Sequence, residues 1–148
     1  MAAAAYLYNN WLKASQSGAN LNGATLKATL HSSTYTPNVS THAVYADLTN
    51  ELATANGYSS GGASLSGAAF TLGASSVILT ASPTVWSATG GSIVARYAVL
   101  RYVGTVNGQV DPLIEYILVD TTPADKTATA GNSFTITWSG SGIYVATR

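Results

Sequence analysis

From Ala24 onward the chain is a succession of short runs rich in Val, Ile, Thr and Tyr, each cut off by Gly, Asn, Ser or Pro. Punctuation of this kind confines the segment to strands joined by turns. In residues 25–30, Leu26, Ala28 and Leu30 alternate with Thr25, Lys27 and Thr29, the period of a half-buried strand. Residues 76–80 and 85–88 are short strand-like runs. Residues 92–103 and 113–119 are longer and nearly continuously apolar, which predicts central strands. Residues 133–138 and 142–145 predict the last two strands, joined as a closing hairpin across Ser139-Gly140-Ser141. Two stretches resist this reading. Residues 42–48 predict either a single helical turn or an irregular crossing, and residues 54–67, with four glycines, predict a long surface loop.

Asn107-Gly108 lies between the two central strands, and both residues tolerate the positive φ of a tight turn. If Val106 pairs with Val110 around a three-residue turn, Arg101 falls opposite Glu115 and Arg96 opposite Asp120. Both oppositely charged pairs come into register together, which favours that alignment by about 0.2 to 1 kcal/mol per pair.

The beginning of the chain reads differently. Residues 3–14 predict a short helix, because alanine has the best helix propensity, Leu7 and Trp11 stand at i and i+4, and Gly18 comes after them as a stop. The expected fold is therefore all-β, a β-sandwich or jelly roll of about seven or eight strands, preceded by a short N-terminal helix. Residues 1–18 form the helix or arm, and residues 19–148 form a single β-sandwich domain. A chain of 148 residues buries about 70% of its unfolded surface, enough for a core without disulfides, and there is no cysteine to form one.

Charge narrows the function. Only 8% of residues are Asp, Glu, Lys or Arg, against about 25% in an average domain, and the six cations cancel the six anions. Lys13, Lys27, Arg96, Arg101, Lys126 and Arg148 are scattered singly, so nucleic acid is not an expected partner. Met1 to Ala5 contain no basic residue, and Asn9, Asn10 and Lys13 interrupt the apolar stretch, so no Sec export signal is expected. The most apolar run, residues 93–100, contains Arg96 and is far shorter than a membrane span of about 20 residues. Near-zero net charge promotes association between copies, so a homo-oligomer is expected.

No catalytic constellation is complete. Gly57-Tyr58-Ser59-Ser60-Gly61 matches the G-x-S-x-G of a nucleophile elbow, yet both histidines precede Ser59, where the elbow requires acid and histidine to come after it. His31, His42 and Asp47 lack a spacing that would gather them around a metal, so no metal site is expected. Asp111, Glu115, Asp120 and Asp125 supply carboxylates, but Glu115 and Asp120 are an odd number apart and the other two sit in turns. Salt bridges and turns account for them. No phosphate-cradling motif is present, and no cofactor is expected. Aromatic residues on exposed platforms could stack sugars, which would make this a carbohydrate-binding module, although packing is the commoner role.

Leu7-Tyr8-Asn9 in the leading segment, Leu26-Lys27-Ala28-Thr29-Leu30, Tyr35-Thr36-Pro37, Thr41-His42 and Phe134-Thr135-Ile136-Thr137-Trp138 occur in an order that resembles small virion structural proteins of tailed bacteriophages. The resemblance spans most of the chain and is one of texture and spacing. It implies a β-rich capsid decoration or cement protein that binds the major capsid protein or other virion proteins. The implied location is the virion, assembled in the host cytoplasm, and no enzymatic activity is implied. Similar sequences also serve as tail or fibre components. The Gly/Ser-rich residues 54–67 and the low charge depart from the pattern. Tyr6, Tyr8 and Trp11 give the terminal segment more aromatic area than a solvated end uses, and together with Leu7 are expected to form an assembly interface. The alternative is that Leu7 and Trp11 plug one open end of the sandwich.

Overall fold

The computed structural model describes residues 4–16, 24–139 and 141–147. In chain order the elements are β1 (Ala4–Leu7), α1 (Asn9–Gln16), β2 (Leu26–His31), a 3-10 turn (Tyr45–Asp47), β3 (Ala63–Ser64), β4 (Ala69–Leu72) and β5 (Ser76–Thr80). They continue with β6 (Thr84–Ser87), β7 (Ile93–Ala95), β8 (Tyr97–Tyr102), β9 (Thr105–Val106), β10 (Gln109–Val110), β11 (Leu113–Leu118), β12 (Lys126–Ala128), β13 (Ser133–Ile136) and β14 (Tyr144–Thr147). The fold is all-β with one short helix. The described strands number fourteen rather than seven or eight, because several are only two or three residues long.

An antiparallel sheet in the order β1-β11-β8-β2-β3 organises the chain. Its three long strands, β11, β8 and β2, are largely buried, and two of them, β8 and β11, lie in the segments expected to be central. Alternation along them separates two packing faces. Leu26, Ala28, Leu30, Ala98, Leu100 and Ile117 point into the main core, where they join Trp11, Trp86, Phe134, Ile136 and Trp138. Val99 and Leu113 point the other way and pack with Tyr8 and Tyr35. Smaller antiparallel groups complete the molecule: β6 with β13, β7 with β12, β9 with β10, and β14-β5-β4.

Several sequence expectations are corrected. The alanine-rich start is a strand, with Ala4–Leu7 pairing along β11 from Leu118 to Glu115. The helix begins only at Asn9. Here the hydrogen bonds and apolar neighbours offered by a sheet edge override alanine's helix propensity, and Tyr8 extends the pairing by donating its N–H to the Ile114 carbonyl at 3.0 Å. The expected stop at Gly18 lies outside the described residues, as does Gly140 of the expected last turn.

The expected strand over 92–103 is broken at Arg96 into β7 and β8, which join different sheets. The expected closing hairpin does not form, since β13 pairs with β6 and β14 pairs with β5. At Asn107-Gly108 the turn is present, but in its two-residue form: Val106 pairs with Gln109, and both turn residues have positive φ (49° and 77°). The register beyond it also differs. A bulge between Leu113 and Glu115 places Leu113 opposite Arg101 and Glu115 opposite Leu100. Arg101 therefore bonds Asp111 (2.6 Å) instead of Glu115, and Arg96 bonds Asp125 (2.8 Å) instead of Asp120.

Residues 54–67 are not a bare surface loop. Tyr58 is buried in the main core, and Ala63–Ser64 add a strand to β2. Two glycines permit this closeness. A Cβ on Gly57 would lie 1.9 Å from the Ser87 carbonyl oxygen, and one on Gly62 would lie 2.1 Å from that of Ala28. Of the two readings of residues 42–48, the structure contains the helical turn, whose entry is held by Asp47 accepting the N–H groups of Ala43 (2.8 Å) and Val44 (3.0 Å).

Candidate functional site

The four residues expected to form an assembly interface divide. Tyr8 and Trp11 are 0% and 1% exposed in the cores of their own chain, and Leu7 is partly buried against the main core. Only Tyr6, 45% exposed, offers an open surface, with its ring stacked on Tyr116 at 4.9 Å. Leu7 and Trp11 thus pack against the main core of their own chain.

The face of the large sheet opposite the main core carries most of the molecule's polar chemistry. His31 Nδ1 must donate to the Thr49 carbonyl (2.9 Å), because a carbonyl only accepts; Nε2 of the neutral ring then accepts from the Thr29 hydroxyl (2.9 Å). Burial lowers the His31 pKa and keeps the ring neutral. Beside it, the hydroxyls of Tyr8 and Tyr35 bond at 2.8 Å, and Tyr35 continues to His42 Nδ1 at 3.0 Å. Burial raises the pKa of both phenols, so they remain protonated donors rather than nucleophiles.

A second group surrounds Glu51. Its carboxylate accepts from the Tyr45 hydroxyl (2.5 Å), the Tyr58 hydroxyl (2.6 Å) and the Gly61 N–H (2.6 Å). Tyr58 in turn accepts the Leu30 N–H at 3.1 Å, which ties the group to β2. The Tyr45 ring lies 4.0 Å beneath the Arg101 guanidinium, which bonds Asp111 and the Gly61 carbonyl (3.1 Å). Asp111 also accepts the Gly104 N–H at 2.8 Å. The Glu51 carboxylate thus draws residues 45–61 together and, through Tyr58, holds them to β2, while the Asp111 carboxylate anchors Arg101 and the Gly104 backbone. The Gly-Tyr-Ser-Ser-Gly match points to Ser59, whereas the residues in that motif with a role in this group are Tyr58 and Gly61. The six to ten residues separating Glu51 from its partners belong to no periodic pattern, so no sequence signal connects them.

The other chemical candidates remain apart. Ser59 is exposed in a turn closed by its own carbonyl and the Gly62 N–H (3.1 Å), with neither the strand nor the helix of an elbow. Among the described residues no group of three His, Asp or Glu is placed to hold a metal. Asp120 accepts from Thr122, and Asp125 from Arg96. Glu115 is 2% exposed, and burial pushes its pKa up to about 8. A shallow groove of about 300 Å³ runs along Leu52, Asn56, Tyr58 and Ile93, with no titratable pair in it. Among the described residues no helix is long and apolar enough to cross a membrane. Compared with known protein families, curated proteins and solved structures, the chain gives no match.

Proposed function

We propose that this chain is a non-enzymatic virion structural protein, in its most specific form a capsid decoration or cement protein bound to the major capsid protein. The observation that carries the reading is the use made of the chemically capable side chains. His31, Glu51, Asp47, Asp111, Asp120 and Asp125 each bond a scaffold group, and the tyrosines beside them are held protonated. A chain that serves as a rigid body in an assembly needs this internal fastening and little else. Sparse charge supports the same reading, because close packing of many copies then buries few unpaired ions. A carbohydrate-binding module fits less well: Trp11, Trp86 and Trp138 are 1%, 5% and 7% exposed, leaving no tryptophan platform for a sugar. The test is to locate the chain by cryo-electron microscopy in the particle produced with its gene. Density on the outer face of the shell is expected. Density confined to a tail or fibre, or absence from the particle, contradicts the decoration role.

A further inference from the structure

Between Glu51 and Arg96 the chain contains no Asp, Glu, Lys or Arg, and β3 to β7 all lie in this interval. Within it, β4 is the outermost strand of β14-β5-β4, and among the described residues nothing pairs with its second edge. Soluble proteins ordinarily blunt such an edge with a charge, a proline or a bulge. β4, Ala69-Phe70-Thr71-Leu72, has no charge and no proline, and its pairing with β5 runs without a register shift. Leu72 is 81% exposed, the most open large apolar side chain described. It lies on the same face as Phe70, whose side chain reaches the main core.

We propose that the free edge of β4 pairs antiparallel with β4 of a second copy about a two-fold axis. Two-fold symmetry selects this occupant. At such an axis the central residue meets its own equivalent and each flanking residue meets its counterpart across the centre, so an edge without charge meets no like charge in any self-pairing register, whereas an edge built for a different partner gains from complementary charges. An axis normal to the sheet keeps both copies' faces in line, which restricts the register. Centred on Thr71, it places Thr71 opposite Thr71 of the second copy and Leu72 opposite Phe70 of the second copy. The exposed leucine then gains an aromatic cross-strand neighbour on each side of the axis, and β14-β5-β4 becomes a six-stranded sheet. The inference does not depend on the virion reading: a dimer that binds no shell would leave it intact.

The full chain should sediment as a dimer, and Thr71→Lys, which sets two ammonium groups against each other at the axis, should halve the mass while leaving circular dichroism unchanged. Because the chain contains no cysteine, Thr71→Cys carries a single thiol, which lies opposite its own copy and within reach of a disulfide. Under mild oxidation it should crosslink far faster than Ser75→Cys in the adjoining exposed turn. A wild-type monomer overturns the proposal. So does a dimer that survives a folded Thr71→Lys variant, or a Thr71→Cys thiol that crosslinks no faster than the Ser75→Cys control. Should Thr71→Lys not fold, the crosslinking comparison decides.

Discussion

Glu115 is a carboxyl set into the main-core face of the large sheet, opposite Leu7 of β1 and Leu100 of β8. Its pKa rises from 4.5 to about 8 because burial penalises the charged form, so the folded protein holds a proton that the unfolded chain releases. Stability is therefore lost as pH rises between those two values. His31 acts oppositely, since its lowered pKa makes stability grow with pH, but that effect is complete above 6.5. Asp47 and Asp120, whose pKa values are lowered by hydrogen bonds, add stability that is lost only as pH falls below 3.8. Melting temperature should consequently decline from about pH 6.5 to 8, and Glu115→Gln should flatten that decline, as a calorimetric pH series would show. An unchanged slope in the variant would mean that Glu115 ionises normally. Gly57 and Gly62 are the other sensitive positions. With φ of +88° and +75° and a carbonyl oxygen about 2 Å from the missing Cβ, replacement by alanine at either should cost about 3 kcal/mol or more in chemical denaturation. A loss below about 1 kcal/mol would show that the close approach is relaxed in solution.

At the level of elements, the strands with strong patterns are legible in the sequence and their partners are not. β2, β5 and β11 stand where alternation or continuous apolarity places them, because those patterns report local burial. β1 reads as helix in the sequence because its strand conformation is imposed by β11, more than 100 residues away along the chain. The expected charge pairing of β8 with β11 fails for a related reason: one bulge at Leu113/Glu115 changes the register, and nothing in the local sequence announces it. That correction is testable. A double-mutant cycle should find about 0.5–3 kcal/mol of coupling between Arg101 and Asp111, and none between Arg101 and Glu115. Coupling to Glu115 would restore the unbulged register. The Tyr45-Glu51-Tyr58-Arg101 group is illegible at any scale of pattern, since it depends on a crossing segment folding back over the sheet.

For the molecule as a whole, the described N-terminal residues 4–16 contribute side chains to both cores. Trp11 belongs to the main core and Tyr8 to the second cluster, so Trp11→Ala should cost about 3–5 kcal/mol. Deleting residues 1–15 should abolish cooperative melting. A truncated chain that still melts cooperatively would return those residues to the role of an assembly arm. Among the described residues Tyr6, Val85 and Val110 are exposed apolar side chains outside β4, and on the proposed reading a shell-bound protein would present such surfaces to its partner. The most direct test of that role mixes the purified full chain with shells isolated from particles lacking it, then pellets the shells over a range of chain concentrations. The account predicts that the chain pellets with the shells and saturates at a fixed ratio to the major capsid protein. A folded chain that stays in the supernatant at every concentration would contradict it.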